Sequence, residues 1–396
     1  MNMLKLYNFR MPRNILFGID AASHVGEKAK ELNGTKALIV TDKALHQTGN
    51  VEKVKKYLVD VGIGVDIYDE VVTEPITAYV EQGEEKLKAG NCDLIVALGG
   101  GSCIDTAKAI AMLGTNPGPL KNYEGMGKMK NPKVPMIAMP TTAGTGSEVT
   151  WVFVVTDLDR NVKSVVYSPY LIPEEVIEDP LLTVSCPPGV TLASGMDALV
   201  HAVEGYVATR DPNRGYGSPP LISFFALPAI KLVYENIRTA WADGENIEAR
   251  SNMLLGQLMA GMTFGNNGTG LVHSIAHEIG VKFHIAHGLS NAILFPHCVE
   301  YSSIAAPKQF AEMAGAMGEP VDGLSLMDAA DKASIAIKRL CQDLRVPRLR
   351  DLEITETELE DAIPDMVEEV MRGPLAFINA RKPTREDVIE IIHKCF

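Results

Sequence analysis

The chain reads as two fold classes in succession, a doubly wound α/β domain over residues 1–186 and an all-helical domain over 187–396. Two observations predict the split. Short apolar runs alternate with amphipathic stretches through the first half, the pattern of strands and helices layered on a parallel sheet. After Cys186-Pro-Pro-Gly189 the strand-like runs give way to long helical ones. The length agrees, since 396 residues exceed what one hydrophobic core usually holds.

Taken in order, Ala37–Thr41 (ALIVT) and Leu94–Leu98 (LIVAL) are apolar runs of the kind buried on both faces of a parallel sheet. Val65–Val71 and Val134–Met139 (VPMIAM) are further strands, the latter despite its proline. Between them, Val51–Val61 and Thr77–Ala89 have helical periodicity, and Thr77 is placed to cap the second helix after Pro75. In the second half, 191–209, 226–240, 246–263 and 269–281 read as helices, and the last ninety residues as helices with charged faces. A cleft is expected between the two domains. Repeats and low-complexity tracts are absent from the sequence.

Composition narrows the partners. Hydrophobic residues make up 46% and charged ones 22%, an ordinary soluble balance. The net charge of −13 repels phosphate backbones and anionic lipid headgroups, so nucleic acid and membrane surfaces are not expected partners. Six cysteines (Cys92, Cys103, Cys186, Cys298, Cys341 and Cys395) without CxxC spacing read as free thiols in a reducing compartment. The first residues hold no apolar run long enough for a signal peptide, and a cytoplasmic location is expected.

Two loops are suited to a nucleotide. In DLIVALGGGSCIDTAKAIAM a strand runs into a helix through Gly99, Gly100 and Gly101, with Ser102 placed as a cap. Such a turn lets backbone approach a pyrophosphate, and the helix N-terminus offers free N–H groups. The pattern is not GxGxxG, and a simple tight turn reads the same way. MPTTAGTGSEVT (139–150) follows another strand and concentrates Thr141, Thr142 and Thr145 with two glycines, as a polyol or phosphate site or a capped turn would. Asp42, at the end of the first strand, is placed either to accept from a ribose 2′-OH, favouring NAD over NADP, or to cap a helix.

Five of the nine histidines, His273, His277, His284, His287 and His297, fall within twenty-five residues. Asp197 and His201 are four apart on one helical face, and His273 and His277 repeat the spacing. One carboxylate and three imidazoles suit Fe(II) or Zn(II) with room for a substrate oxygen. HSIAH lacks the glutamate of a zincin, and one histidine of the cluster is spare for proton transfer. His284 and His297 read as structural. Each pair alone would more often be packed histidines on a helix.

The order of the phosphate loop, TTAGTGSE, DALVHAVE and GLVHSIAH…HG resembles the iron-containing (group III) alcohol dehydrogenases, which include lactaldehyde reductases and 1,3-propanediol dehydrogenases. The likeness runs from KALIVTDKAL to KPTREDVIEII. It implies a Rossmann-like nucleotide-binding domain joined to a helical metal-binding domain, the dehydroquinate synthase-like fold. It implies metal ligands Asp197, His201, His273 and His287, with His277 in proton relay. Cofactor contacts carried over fall on Asp42, Gly100, Gly101, Ser102, Asp105, Thr141, Thr142, Thr145 and Lys163. Relatives dimerise through an N-terminal strand, here within Leu6–Phe17, so a homodimer or higher homo-oligomer is implied.

The activity implied is a metal-dependent, NAD(H)-linked interconversion of a small primary alcohol or diol with its aldehyde or ketone. The metal, Fe(II) with Zn(II) the other candidate, polarises the substrate oxygen while hydride passes to or from nicotinamide. Three departures from the family stand out: Glu74-Pro75 for Asn-Pro, GSPPLISFFAL with Ser223 and an insertion at Arg214–Gly217, and Ala286 before the last histidine ligand. Arg210 and Arg214 suit either solvent or an anionic aldehyde such as sulfoacetaldehyde or a semialdehyde. From other classes, a metal hydrolase and a non-catalytic nucleotide-binding module are the rivals.

Overall fold

The computed structural model describes residues 7–72, 74–160, 162–209 and 220–396. It divides into two compact units, Arg10–Cys186 and Pro187–Phe396, the second also taking the segment that ends at Phe9.

The α/β unit contains, in chain order, β1 (Asn14–Phe17), α1 (Val25–Glu31), β2 (Lys36–Val40), α2 (Lys43–Gln47), α3 (Asn50–Asp60), β3 (Gly64–Tyr68), α4 (Thr77–Ala89), β4 (Leu94–Gly99) and α5 (Gly101–Leu113). There follow β5 (Gly125–Met126), β6 (Met136–Pro140), β7 (Val152–Asp157), β8 (Val162–Tyr167) and β9 (Glu175–Glu178). Six strands form a parallel sheet in the order β1-β9-β6-β4-β2-β3. Side chains alternate across it. Leu38, Val40, Ile95 and Ala97 pack with Val80, Leu87, Ile104 and Ile110 of α4 and α5. Ala37, Ile39, Val96 and Leu98 pack with Val25, Val51, Val54 and Leu58 of α1 and α3. Helices on both faces make the sheet doubly wound, and the continuous apolar runs of β2 and β4 follow from burial on both sides.

The expected strands at 37–41, 65–71, 94–98 and 134–139 become β2, β3, β4 and β6. Two local readings change. Thr77 is the first residue of α4 and not its cap, and its hydroxyl donates to the Thr156 carbonyl at 3.2 Å. Ser102 lies inside α5, whose N-cap is Gly100. A second sheet, β5-β8-β7, was not foreseen, and its antiparallel hairpin β7–β8 carries Lys163 opposite Thr156. In the N-terminal stretch, β1 pairs in parallel with β9 of its own sheet, and Tyr7–Pro12 form no strand; Leu6 lies outside the described residues.

The helical unit consists of α6 (Pro188–Val207), α7 (Ile222–Ala242), α8 (Ile247–Asn267), α9 (Leu271–Phe283), α10 (His287–Ser303), α11 (Pro307–Ala316), α12 (Leu326–Asp343), α13 (Glu356–Arg372), α14 (Leu375–Ile378) and α15 (Arg385–Lys394). Pro188 opens α6 at a position where a missing N–H costs nothing. This helix is apolar nearly all round because α7, α8 and α10 enclose it. Its approach to α10 is close enough that a Cβ on Gly288 would overlap the Ala193 carbonyl, and that contact sets His287 beside the face carrying Asp197. Ser223 lies at the start of α7; Arg210 and the Arg214–Gly217 insertion lie outside the described residues. Among the described residues no helix is long and apolar enough to cross a membrane.

Candidate metal centre and nucleotide loops

Asp197 and His201 project from the buried face of α6, and His273 from the first turn of α9; His287 opens α10. One ligand atom from each of Asp197, His273 and His287 lies within 4.8 Å of the others. His201 joins them, its Nε2 standing 2.9 Å from His273 Nε2 and its Nδ1 3.7 Å from Asp197 Oδ2. The Nε2 atoms of His273 and His287 are 3.5 and 3.7 Å from Asp197 Oδ1. Phe264 stacks on the His201 ring at 3.9 Å, fixing its plane. Asp197, His201 and His273 are buried, while His287 is half-buried. Of the four residues named from sequence, Asp197, His273 and His287 therefore form one cluster, and His201 borders it beside His273.

Two side chains that the sequence reading passed over complete the centre. Glu204, one turn after His201, accepts from His273 Nδ1 at 2.6 Å. Against a carboxylate, Nδ1 is the protonated nitrogen, so the lone pair of the neutral ring sits on Nε2 and faces the cluster. Asn291, on α10, donates through Nδ2 to Asp197 Oδ1 at 2.6 Å and lies 3.3 and 3.2 Å from the Nε2 atoms of His273 and His287. Its Oδ1 is buried without a hydrogen-bond partner among the described residues. The available signal was spacing: Glu204 follows His201 by three residues and Asn291 follows His287 by four, each on the ligand face.

The electrostatics fit a divalent cation. Burial opposes the charge on Asp197, yet the imidazoles of His201, His273 and His287 hold its carboxyl well below the usual range. Burial likewise opposes charge on His273, and Asp197 with Glu204 outweighs it, pushing the ring up to about 9. The cluster thus favours positive charge at the point where its donors converge. One carboxylate and three nitrogen donors are the set that Fe(II) or Zn(II) takes with coordination positions to spare. His277 stands beside the set on α9, its ring 5.2 Å from that of His287 and 6.3 Å from that of His273. His284 is exposed and ends α9 in a left-handed conformation, and burial lowers the pKa of His297 on α10.

In the α/β unit the two glycine-containing loops lie against each other. Thr141 N donates to Gly99 O at 3.1 Å. Gly99 has a φ of +154°, and a Cβ there would strike Cys103 at 2.6 Å. A Cβ on Gly101 would overlap Thr145, whereas one on Gly100 would meet the Thr142 hydroxyl at 3.3 Å. Glycines therefore let the second loop close over the first turn of α5. That loop is braced from beneath by α5. Asp105 accepts from the Ser147 hydroxyl and from Val154 N, the latter at 2.9 Å. Lys108, fully buried, donates to the carbonyls of Ser147, Thr150 and Val152 at 2.6–2.9 Å, and burial pulls its pKa down to about 8. Each oxygen of Asp105 thus accepts one bond from the protein, and Lys108 is a brace that sequence reading missed.

Asp42 does cap a helix, Oδ1 accepting from Leu45 N at 2.7 Å. Its Oδ2 faces Cys103 Sγ at 3.6 Å beside Gly99, at the edge of the same loop. Lys163 on β8 pairs with Glu74 at 3.1 Å, so the extra carboxylate at position 74 is compensated within the unit.

The known proteins to which this chain is similar point to one family. Residues 12–180 match the family pattern of iron-containing alcohol dehydrogenases, and 191–396 the C-terminal pattern of the Fe-containing alcohol dehydrogenase family. The chain is 41% identical over 395 residues to the 1,3-propanediol dehydrogenase of Klebsiella pneumoniae, covering 99% of each. It is 39% identical over 386 residues to the NAD-dependent methanol dehydrogenase of Bacillus methanolicus, covering 97% of this chain and 98% of that one. The crystal structure of a 1,3-propanediol oxidoreductase superposes with a TM-score of 0.94 at 40% identity, covering 99% of this chain and all of the other. The chain belongs to the iron-containing alcohol dehydrogenase family. It is accordingly a metal-dependent, NAD(H)-linked oxidoreductase interconverting an alcohol and its carbonyl compound.

Proposed function

We propose that Asp197, His201, His273 and His287 hold Fe(II), with Zn(II) as the competing ion, and that the chain reduces small aldehydes to primary alcohols or diols with NADH. The convergence of Asp197, His273 and His287, with His201 against His273 and the His273 lone pair turned inward by Glu204, carries the reading. When bound, the ion supplies Lewis acidity at the substrate oxygen. The protein's own part is to orient the donors, to bind the cofactor and to move a proton. His277, beside His287 and half-buried, is the group that passes a proton between the alcohol oxygen and solvent.

Residues 10–186 form the cofactor domain, and 187–396 with the segment that ends at Phe9 form the metal and substrate domain. Gly99, Gly100, Gly101 and Ser102 receive the pyrophosphate on the N-terminus of α5, with Thr141, Thr142 and Thr145 offering hydroxyls and amides. Asp42 accepts from the adenosine ribose, which selects NAD over NADP. Lys163 answers cofactor negative charge in competition with Glu74. Asp105 serves the cofactor indirectly, by bracing the loop through Ser147 and Val154. The enzyme works in the cytoplasm as a homodimer or a larger homo-oligomer.

The names of the relatives, 1,3-propanediol and NAD-dependent methanol dehydrogenases, support a small unbranched substrate. The test is NADH oxidation by anaerobically purified protein loaded with Fe(II) or Zn(II), against lactaldehyde, 3-hydroxypropanal and sulfoacetaldehyde. Metal-dependent turnover of a neutral aldehyde is expected. Turnover of sulfoacetaldehyde alone would move the assignment to an anionic substrate, and NADH binding without turnover of anything would refute the catalytic reading.

A further inference from the structure

Glu204 engages both a ligand histidine and the start of a helix. Its carboxylate is buried, and both oxygens are used. Oε2 accepts from Gly270 N at 2.8 Å and from His273 Nδ1 at 2.6 Å, while Oε1 accepts from Val272 N at 2.6 Å. Helix α9 begins at this point, and its N-cap is Gly270, a residue with no side chain to offer. A carboxylate borrowed from α6 therefore satisfies the opening N–H groups of α9 and orients the first histidine on it.

We infer that Glu204 is a positioning residue that holds His273 in the tautomer with its lone pair on Nε2, and thereby sets how tightly Asp197, His201, His273 and His287 retain a divalent ion. The inference rests on those four residues being the metal ligands. A neutral imidazole has one N–H and one lone pair. With Nδ1–H directed at Glu204, the lone pair lies on the nitrogen 2.9 Å from His201 Nε2 and 3.5 Å from Asp197 Oδ1. The other tautomer would point a hydrogen into the remaining donors and withdraw a ligand. A carboxylate behind the ring also raises the basicity of the nitrogen in front.

Glutamine cannot reproduce this. If its amide nitrogen takes the Oε2 position, it confronts the N–H of Gly270 and forces His273 into the wrong tautomer. If it takes the Oε1 position, it confronts Val272 N–H, and the ring is left facing a neutral oxygen. Aspartate keeps the charge but is one methylene short.

The experiment measures Zn(II) affinity of the full-length protein by competition with a chromophoric chelator, for wild type, Glu204→Gln, Glu204→Asp and Asp197→Ala. Visible spectra of the Co(II)-loaded proteins and NADH affinity by fluorescence accompany it. Glu204→Gln is expected to weaken Zn(II) binding by about 10–100-fold and to alter the Co(II) spectrum, with NADH affinity unchanged. Glu204→Asp should fall between it and wild type. If Glu204 were only a helix cap, both variants would melt earlier while keeping wild-type Zn(II) affinity and Co(II) spectrum, and that result overturns the inference. Should Glu204→Gln not fold, Glu204→Asp decides: affinity equal to wild type overturns it. Asp197→Ala separates the two layers of argument. Loss of Zn(II) binding in Asp197→Ala but not in the Glu204 variants refutes the role of Glu204 alone, whereas unaltered binding in Asp197→Ala refutes the metal site as well.

Discussion

Replacing Gly101 with alanine should damage cofactor binding through steric overlap with Thr145. A Cβ at 101 would lie 2.7 Å from Thr145 Oγ1 and 2.9 Å from its Cβ, and closer still to Cγ2. Real Cβ atoms do not approach so closely, so the loop at 141–147 must move away from the first turn of α5. It is not free to do so. Lys108 and Asp105 fasten its far end through Ser147, Thr150, Val152 and Val154. Overpacking a well-filled site costs about 1–3 kcal/mol. If that strain is expressed on closing around the cofactor, NADH should bind roughly 5–150-fold more weakly. The assay is NADH fluorescence titration of wild type, Gly101→Ala, Thr145→Ala and the double variant. Thr145→Ala removes the two nearest colliding atoms and leaves only the 2.9 Å approach to its Cβ, so the double variant should bind better than Gly101→Ala. Gly100→Ala, whose Cβ would stop 3.3 Å from Thr142 Oγ1, should be mild by comparison. Wild-type affinity in Gly101→Ala, or no recovery in the double variant, would refute the packing argument.

Three other outcomes are expected. Glu74→Asn removes the partner of Lys163; the pair is partly exposed and worth about 0.2–1 kcal/mol, so NADH should bind up to about fivefold tighter, and an unchanged Kd would mean that Lys163 does not meet the cofactor. Asp42→Gly should raise NADPH acceptance on the order of tenfold at little cost to the α2 cap, while unaltered NAD preference would leave Asp42 as a cap only. Metal loading should release a proton from His273. Its pKa is raised from 6.5 to about 9 in the metal-free fold, so the protonated ring stabilises that fold fully below 6.5 and loses its contribution as pH rises through about 9. A metal needs the neutral ring, so loading should tighten as pH rises toward that value. Calorimetry in two buffers of different ionisation enthalpy measures the proton, and a heat independent of buffer would contradict the assignment.

The parts readable from sequence were those with local periodicity. The runs at β2 and β4 are apolar throughout because both faces are covered, and the paired spacing of Asp197 with His201 put both on one face of α6. Elements defined by distant contacts were missed. β9 reads EVIE, and two glutamates inside four buried residues conceal a strand whose pairing comes from β1 and β6. β1 is a four-residue edge strand with little pattern of its own. The Ser102 and Thr77 readings failed for one reason: the chain enters each helix a residue or two earlier than a side-chain cap would require, at Gly100 and Ile76. Asp105 is a cofactor contact by resemblance alone, and its bonds to Ser147 and Val154 add a bracing role that the sequence did not reveal. Glu204 and Lys108 carried a signal in their helical spacing from His201 and Asp105. A charged residue three positions from a functional one is too common to single out without the partner's location.

The most direct test is metal content and NADH-dependent aldehyde reduction measured together on wild type and His273→Ala, each purified anaerobically and loaded with Fe(II). Four converging donors predict that wild type retains metal through gel filtration and turns over, while His273→Ala loses both and keeps its NADH affinity. Full turnover by metal-free His273→Ala would contradict the account.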